Sequence, residues 1–570
     1  MLFLSYFYSF SQTTTFEWAK SVGGQNFDEA NSVVLDAQGN VYVTGRFQKF
    51  VGTEVDFDPG PGVYNIAAIG QYDAFVLKLN ANGDFLWAKN FGGATAATGG
   101  NGIAVDSNGN VYTTGTFSYS VDFDPSPTSS FILTPLNQFG NAATDAYISK
   151  LDTNGNFVWA KNIGAQFFET GVAITTDNNN NVYVTGKFAG TLSVNTSTGT
   201  TTLSGVSSSS GFILKLDSNG IIAWAKSISG AGTEVVYAIS VDDSGNVFAT
   251  GNFTSATDLD PGTSVYNIMG SGIYVLKLNS SGNFVFAKGF IGNSILNCTA
   301  IKVDNSGNIF TTGSFQQTVD FNPSSSATYN LIADGATTGQ DVFLSKLDNL
   351  GNFVWAKRIY STSDDVSRAL TLDNLGNVYI APNLGFANFN IDNGPQIIGS
   401  NVNPYIMAIL KFDTMGNLVA KNFIASLGTF QTMSIAVDTN YSVHTCGSFT
   451  LPTDFNPDAP VFNLTSVGQS DVFISKMKLR NEGLSVNQNN SKNTILFYPN
   501  PTNGNLNIQL SNTITNGTLK VITITGQIVS EQHNLNGTTF NFDVTSLNQG
   551  IYIVQLTNGN EVLNSKFIKQ

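Results

Sequence analysis

A Trp-Ala-Lys motif recurs along this chain at nearly regular intervals. The 570 residues include five tryptophans, and each is followed by Ala-Lys. Successive copies of the motif are 62 to 72 residues apart, so the sequence holds seven copies of one unit. A chain of this length needs several domains or an internally repeated fold, and the spacing indicates the repeated fold. The motif positions are Trp18, Trp87, Trp159, Trp224, Phe286, Trp355 and Val419.

Each unit has the pattern of four short strands. A short apolar run ends in Asp and a turn such as DAQGN, and an alternating strand such as VYVTG at 41–45 follows. After an irregular stretch, a second alternating strand with a fixed Lys, such as AFVLKL at 74–79, leads through another Gly turn to the Trp-Ala-Lys strand. Period-two alternation predicts strands, and these turns predict tight hairpins. The sequence therefore predicts an all-β fold, a seven-bladed β-propeller with four-stranded blades.

The two ends of the repeat region predict how the ring closes. The chain opens on a Trp-Ala-Lys strand, 16–20, that has no earlier strands of its own. The last unit ends on DVFISKMK at 471–478 without a Trp-Ala-Lys strand. We expect the N-terminal strand to complete the seventh blade. A solenoid would instead need a cap at each end.

Two lysine positions repeat with the units and supply 14 of the 26 basic residues. We expect these lysines to pair with repeated carboxylates on solvated strand faces, where a single exposed pair stabilises little. One set is Lys20, Lys89, Lys161, Lys226, Lys288, Lys357 and Lys421, and the other is Lys78, Lys150, Lys215, Lys277, Lys346, Lys411 and Lys476.

The units resemble the seven-bladed β-propeller repeat family called SBBP, which is common in exported bacterial proteins. The resemblance rests on the D-x-x-G-N-V-Y-V-T-G core, the DFDPG segment and the K-L-D-x-x-G-x-x-x-W-A-K ending, and it covers residues 13–478. It implies an architecture and no single activity.

The C-terminal part loses the repeat. Residues 479–493 are polar and predict a linker, and residues 494–570 contain six or seven short alternating runs that predict a small β-sandwich. An ordered set of residues in this part resembles the type A C-terminal sorting domain of type IX secretion. The set is Tyr498, Pro499, Asn500, Pro501, Gly504, Leu519, Lys520, Val521, Gly526, Leu547, Gly550, Ile551, Tyr552 and Lys569. The resemblance implies recognition by the type IX outer-membrane translocon; an ordinary adhesion sandwich is the alternative.

Composition and the N-terminus bear on location and partners. Residues 1–12 are mostly apolar and predict the remnant of a signal peptide. The net charge of −14 argues against nucleic-acid binding, which needs clustered Lys and Arg. No run of 18 apolar residues exists, so we expect no transmembrane helix. Together with the sorting resemblance, this predicts a protein secreted by a Gram-negative bacterium or held on its outer surface.

The DFDPG segments have two interpretations. Their paired carboxylates resemble calcium-binding loops, in which hard oxygen ligands surround the ion. Alternatively, they form Pro-Gly turns between strands, with Asp capping the turn. The third unit lacks the segment and the sixth has only NFNIDNG, so a required site in every blade is excluded. The candidate calcium ligands are Asp56, Asp58, Asp122, Asp124, Asp258 and Asp260.

Residues suited to catalysis are scarce. There are two histidines and two cysteines, and we expect His444 and Cys446 to be structural. Two glutamates outside the repeat, Glu169 and Glu234, are expected on the loop surface. We therefore expect no enzymatic activity and a binding or adhesion module with an extracellular glycan or protein ligand. An extracellular carbohydrate-active lyase or hydrolase that uses acidic residues of an irregular blade is the alternative, and a propeller with calcium-stiffened loops is a third.

Overall fold

The computed structural model divides the chain into two compact units, Met1–Asn481 and Glu482–Gln570. It describes residues 15–50, 52–136, 143–165, 167–205, 209–292, 296–333, 339–361, 363–385, 388–392, 397–398, 405–456, 460–479, 495–498, 502–523, 527–558 and 561–569. Within these ranges all regular structure is β.

The strands follow one another with the period that the sequence predicts. The first thirteen are β1 (Thr15–Val22), β2 (Asp28–Leu35), β3 (Val41–Gln48), β4 (Val55–Asp56), β5 (Asn65–Ile66), β6 (Tyr72–Leu79), β7 (Phe85–Phe91), β8 (Thr98–Val105), β9 (Val111–Ser118), β10 (Val121–Asp122), β11 (Ile132–Leu133), β12 (Thr144–Leu151) and β13 (Phe157–Ile163). The next twelve are β14 (Thr170–Thr176), β15 (Val182–Phe188), β16 (Thr191–Thr196), β17 (Gly199–Ser204), β18 (Ser210–Leu216), β19 (Ile222–Gly230), β20 (Glu234–Val241), β21 (Val247–Phe253), β22 (Thr257–Asp258), β23 (Asn267–Ile268), β24 (Gly272–Leu278) and β25 (Phe284–Ile291).

The remaining strands of the first unit are β26 (Leu296–Val303), β27 (Ile309–Phe315), β28 (Thr318–Asp320), β29 (Asn330–Ile332), β30 (Asp341–Leu347), β31 (Phe353–Tyr360), β32 (Leu370–Leu372), β33 (Val378–Ile380), β34 (Asn383–Leu384), β35 (Asn388–Ile391), β36 (Ile397–Ile398), β37 (Tyr405–Phe412), β38 (Leu418–Ser426), β39 (Phe430–Val437), β40 (Ser442–Phe449), β41 (Thr453–Asp454), β42 (Asn463–Leu464) and β43 (Asp471–Lys478).

The described residues of the first unit form seven antiparallel four-stranded cores, which we number as blades. Blades 1 to 7 are β2-β3-β6-β7, β8-β9-β12-β13, β14-β15-β18-β19, β20-β21-β24-β25, β26-β27-β30-β31, β32-β33-β37-β38 and β39-β40-β43-β1. The first strand of each blade contacts the first strand of the next, and β39 of blade 7 contacts β2 of blade 1. The prediction of an all-β propeller is confirmed.

The N-terminal strand closes the ring, as the sequence predicts. β1 pairs antiparallel with β43 from Thr15 opposite Lys478 to Val22 opposite Val472. It thus supplies the outermost strand of blade 7, while the other three strands come from the opposite end of the repeat region. Radial closure of this kind leaves only short, protected sheet edges.

The repeated glycine of the VYVTG strand is explained by its contact with the first strand of the same blade. In blade 2 a Cβ on Gly115 would lie 1.9 Å from the carbonyl oxygen of Gly99. The first strand is bulged beside this point, between Gly100 and Gly102, and presses its backbone against the glycine. The same approach occurs at Gly45, Gly186, Gly251, Gly313 and Gly447.

Aromatic side chains fill the blades. The Phe two residues after each of these glycines is buried, so these rings belong to the core. In blade 1 Phe47 and Phe75 both pack on Phe57, the aromatic residue of DFDPG, with ring centroids 5.2 and 5.3 Å away. The rings concerned are Phe47, Phe117, Phe188, Phe253, Phe315 and Phe449.

The second unit contains β44 (Ile495–Tyr498), β45 (Asn505–Thr523), β46 (Ile528–Asp543), β47 (Gly550–Asn558) and β48 (Glu561–Lys569). They form one connected five-stranded antiparallel sheet. The sequence predicts six or seven short strands; the described residues form five, because β45 and β46 continue through Asn- and Gly-containing positions by shifts of register. Buried residues of these strands form a hydrophobic cluster of their own.

Candidate functional site

The Asp at the end of each first strand organises a polar cluster. In blade 1, Asp36 Oδ1 accepts the backbone N–H groups of Gln38 and Asn40, and Oδ2 accepts Asn40 Nδ2 and the Tyr42 hydroxyl. Blades 2, 3 and 6 repeat this Asp–Asn–Tyr arrangement. The carboxylate both caps the turn and satisfies a buried tyrosine hydroxyl.

The lysines of the third strands are not on solvated faces, so that part of the prediction is wrong. The predicted pairing with repeated carboxylates occurs at Lys411 with Asp373 and at Lys476 with Asp438. Lys78, Lys150, Lys346, Lys411 and Lys476 are buried. Most of the set donates Nζ to a backbone carbonyl of the next blade, in the turn between its third and fourth strands. These bonds join Lys78 to Thr153 (3.1 Å), Lys150 to Ser218 (2.8 Å), Lys215 to Ser280 (3.2 Å), Lys277 to Asn349 (3.4 Å), Lys346 to Thr414 (3.0 Å) and Lys476 to Ala81 (3.3 Å).

The repeated tryptophan donates to the same carbonyl oxygen. Its ring also lies against the turn glycine, where a Cβ would clash, as between Trp18 and Gly83. Lys and Trp thus form an inter-blade clamp on one carbonyl. The Trp Nε1 bonds join Trp18 to Ala81 (3.3 Å), Trp87 to Thr153 (3.1 Å), Trp159 to Ser218 (3.2 Å), Trp224 to Ser280 (3.2 Å) and Trp355 to Thr414 (3.3 Å).

The two repeats without Trp differ from the others at the clamp in different ways. In blade 4, Phe286 lies at the Trp position but carries no donor, so the Asn349 carbonyl receives only Lys277. Blade 6, with Val419, precedes blade 7, whose fourth strand is β1 and which therefore has no connecting turn to receive the clamp. Lys411 lies 3.5 Å from Asp373 within its own blade instead.

Replacing Phe286 with Trp should add the missing donor to the Asn349 carbonyl. We expect a stabilisation of about 1 kcal/mol, the typical net value of one intramolecular hydrogen bond. The midpoint of urea unfolding measures it, and W355F is the matched control, with an expected loss of similar size. A destabilising F286W would contradict the clamp.

The DFDPG carboxylates cap their own turns. Asp56 Oδ1 accepts the N–H groups of Asp58 (3.0 Å) and Tyr64 (2.8 Å), and Asp58 Oδ1 accepts that of Gly60 (2.8 Å). Asp122 with Asp124, and Asp258 with Asp260, repeat these bonds. Within the described ranges no group of three or more His, Cys, Asp or Glu residues is placed to hold a metal ion. Calcium binding by these residues stays a prediction.

The same segments join neighbouring blades. Asp56 forms an antiparallel bridge with Gly23, at the end of the outer strand of blade 7, and Asp122 forms one with Gly92, after the outer strand of blade 1. Asp258 pairs in the same way with Ser229 of blade 3. In blade 3, which lacks DFDPG, the ribbon β16-β17 instead pairs with β19 of its own blade. The segment therefore has a structural role between blades.

A set of carboxylates lies buried under the loops at the end of the blades where the first strands begin. The prediction that Glu169 and Glu234 lie on the loop surface is wrong, because both side chains are fully buried. Glu169 Oε2 accepts the N–H of Ala165 and Glu234 Oε1 accepts the Thr257 hydroxyl. Asp28 and Asp365 occupy the equivalent place in blades 1 and 6 and also bind loop N–H groups.

Burial raises the pKa of Asp28, Glu169 and Asp365 to about 7, and that of Asp471 to about 6. The folded chain therefore holds protons that the unfolded chain releases near pH 4. Stability should be greatest on the acidic side and should fall by about 2 kcal/mol or more as the pH rises from about 5 to about 8.

Burial lowers the pKa of His444, so this residue reduces stability as the pH falls below about 6.5. It is a single group, whereas the four carboxyl groups change stability in the opposite direction. Urea midpoints across this pH range test the expectation. E169Q should flatten the dependence, and stability that increases toward pH 8 would contradict it.

Blade 6 departs from the repeat and leaves a pocket. Ala381 stands at the repeated Thr position and Pro382 stands at the repeated glycine position, and β32 and β33 pair over only three residues each. Before that point the first strand keeps a single bridge, Val366 with Asn383. A cavity of about 400 Å³ lies there between blades 6 and 7, and its lining includes Arg368, Asn383 and Gln431.

Arg368 is exposed in this pocket and lies two residues before β32, the first strand of the blade. Asn383 is held by two hydrogen bonds to the backbone of Thr432 in blade 7. Asp364, also at the rim, accepts the N–H of Gln340. A guanidinium beside fixed polar groups suits recognition of a polar or anionic ligand. The sequence signal for this site is the break in the VYVTG pattern, which becomes VYIAP.

The remaining candidates for chemistry are structural. His444 lies in β40 at the repeated Tyr position, with Nε2 3.4 Å from Asp438 Oδ2. Cys298 and Cys446 are buried free thiols, and burial raises the pKa of Cys298 to about 12. A thiol with a raised pKa is a poor nucleophile.

The described residues of the predicted sorting signal meet at one edge. Gly550 lies opposite Lys569 in the β47–β48 pair, and Tyr552 stacks on Phe567 with ring centroids 5.6 Å apart. The Tyr552 hydroxyl donates to the Asn548 carbonyl, and Gly504 accepts the N–H of Val544. The other predicted residues, Pro499, Asn500, Pro501 and Gly526, lie outside the described residues.

Comparison with known proteins gives one relative and several structural neighbours. The relative is an uncharacterized WD repeat-containing protein of Acanthamoeba polyphaga mimivirus, 26% identical over 508 residues; the match covers 76% of this chain and 36% of the relative, so the chain spans about a third of that protein. Solved structures include Sqt1 from Chaetomium thermophilum, with 8% identity, a TM-score of 0.37, and coverage of 82% of this chain and 100% of that chain. An ACO/RPE65 chimera has 11% identity, a TM-score of 0.34, and coverage of 80% and 93%.

Two family models match parts of the chain. Residues 86–116 match the beta-propeller repeat family, and residues 496–570 match the secretion system C-terminal sorting domain. The described part of the chain contains no helix able to cross a membrane. The chain therefore carries SBBP β-propeller repeats and a type IX secretion C-terminal sorting domain, and it is a secreted or cell-surface protein.

Proposed function

We propose that this protein is a non-enzymatic binding module that a Gram-negative bacterium exports by type IX secretion and that recognises an extracellular glycan or protein. The sorting domain supports export. The single observation that supports ligand binding is the pocket of about 400 Å³ at blade 6, where the repeat breaks and Arg368 is exposed. If the sixth repeat had only a structural role, we would expect it to keep the VYVTG pattern of the other repeats.

The buried carboxylates give little support to an enzymatic alternative. Glu169, Asp28 and Asp365 have raised pKa values, as general acids often do. However, each is almost completely buried and bound to loop N–H groups. A glycosidase carboxyl group must reach the scissile bond, and these groups instead hold loops in place.

A binding screen of the full chain on an array of bacterial, plant and animal glycans, with immobilised extracellular matrix proteins as a second array, tests the proposal. Each array is run with calcium and with chelator, so that the DFDPG prediction is tested at the same time. We expect saturable binding that R368Q weakens about ten-fold, as for the loss of one charge-assisted contact.

The matched control is R46Q, which removes an exposed arginine on β3 whose Nε lies 2.8 Å from Glu29. It should leave binding unchanged. Blank arrays in both buffers, or equal binding by R368Q and the unaltered chain, would contradict the proposal. Turnover of any arrayed polysaccharide would favour the carbohydrate-active alternative.

A further inference from the structure

A second pocket lies at the opposite end of the blades, where the first strands end. It has a volume of about 550 Å³ and lies between blades 5 and 6. The turns that begin at Asp304 and Asp373 form its walls, and Lys302, Lys346 and Thr371 line it. It is a different cavity from the Arg368 pocket and shares no lining residue with it.

Lys302 departs from the repeat. It stands two residues before the repeated Asp, and no other unit has a charged residue at that position. The fold therefore does not require a cation there. The equivalent residues are Val34, Ala104, Thr175, Ser240, Thr371 and Ala436.

The carboxylates in the pocket walls are already engaged. Asp304 Oδ1 accepts the N–H groups of Ser306 and Asn308, and its Oδ2 accepts Asn308 Nδ2. Asp373 makes the same bonds within its own turn and also accepts the Tyr379 hydroxyl. These contacts fix both carboxylates toward their turns.

The two lysines of the pocket differ in their partners. Lys346 donates Nζ to the Thr414 carbonyl and lies over the Phe310 ring, as its position in the repeat requires. Lys302 is partly buried, and no hydrogen bond or ion pair joins its Nζ to any described residue. Burial without a carboxylate partner lowers its pKa. An ammonium group in this setting gains from an anionic ligand.

We propose that this pocket binds the carboxylate of an acidic sugar, of the uronic acid class, through Lys302. The exposed side chains of Asn305 and Asn374 and the hydroxyl of Thr371 offer hydrogen bonds to sugar hydroxyl groups. Leu375, with 65% of its surface exposed, offers an apolar contact to the sugar ring. The two lysines and two aspartates of the lining balance in charge, but both aspartates are bound to their own turns, so Lys302 is the charged group left to meet one carboxylate.

Isothermal titration of the full chain with glucuronate, and separately with glucose, tests the proposal. We expect glucuronate to bind and glucose to bind at least about ten-fold more weakly, since it lacks the carboxylate that Lys302 would hold. K302S should weaken glucuronate binding to the level of glucose. Serine occurs naturally at the equivalent position in blade 4, as Ser240, so the fold should tolerate it.

The matched control is K187S, in which the lysine lies on β15 of blade 3 and outside the pocket. It should leave glucuronate binding unchanged. A second measurement is acylation of lysines followed by peptide mapping, in which glucuronate should protect Lys302 and leave Lys187 reactive. No glucuronate binding, equal binding of the two sugars, or undiminished binding by K302S would overturn the proposal. The R368Q variant should bind glucuronate normally, which separates this site from the proposed binding pocket at blade 6.

Discussion

Replacing Gly115 with alanine should lower the free energy of unfolding of the propeller by about 3 kcal/mol or more. The new Cβ would lie 1.9 Å from the Gly99 carbonyl oxygen and 3.0 Å from the Tyr147 ring. Neither can move easily, because the carbonyl belongs to a bulged strand and the ring is fully buried. The first and second strands of blade 2 would have to separate.

The control is G99A on the facing strand, where the nearest atom to a new Cβ is the flexible Arg46 side chain at 3.7 Å. That change should be neutral or slightly stabilising, since alanine restricts the unfolded chain more than glycine does. Urea unfolding of the two variants side by side measures the difference. Similar midpoints for G115A and G99A would mean that the close approach at Gly115 does not determine the residue.

Removing residues 1–22 should destabilise blade 7 by about 5 kcal/mol and make the chain self-associate. The deletion removes β1 and with it the buried side chains of Ala19 and Val22. It also removes the Trp18 bond to Ala81, which joins blade 7 to blade 1. The edge of β43 would then be unpaired, and an unpaired apolar strand edge favours aggregation.

A chain that lacks only residues 1–14 retains all of β1 and is the matched control. It should unfold at the same urea concentration as the full chain and remain monomeric in light scattering. A peptide of residues 15–22, added to the longer deletion, should restore part of the lost stability by pairing with β43. Equal stability of the two deletions would contradict closure by the N-terminal strand.

Blade 6 shows which features the local sequence pattern predicts and which depend on tertiary structure. The change from VYVTG to VYIAP is visible in the sequence, and it marks unit 6 as irregular. The sequence does not show that β32 and β33 stop pairing before Pro382, or that a cavity lined by Arg368 lies there. Both features depend on the first strand of the same blade and on blade 7. The position of Arg368 in its unit does not by itself indicate a site.

The buried lysines and glutamates show the same limit. Lys78 donates to a carbonyl 75 residues away in the next blade. Glu169 accepts the N–H of Ala165, which lies in the loop that joins blade 2 to blade 3. The sequence predicts lysines and glutamates on the surface, because charged side chains are seldom buried without partners. The partners of Lys78 and Glu169 are backbone groups, and backbone groups have no signature in the sequence.

The sequence by itself determined the strands, the hairpin turns, the closure by β1 and the sorting domain. Each depends on short-range patterns: alternation with a period of two, glycine or asparagine where φ is positive, and a motif repeated along the chain. Only the tertiary structure decided which charges are buried, how DFDPG joins neighbouring blades, and where pockets open. Those features depend on contacts between blades, where the packing of neighbouring blades brings together residues about one repeat apart, and ring closure brings together residues of blades 7 and 1.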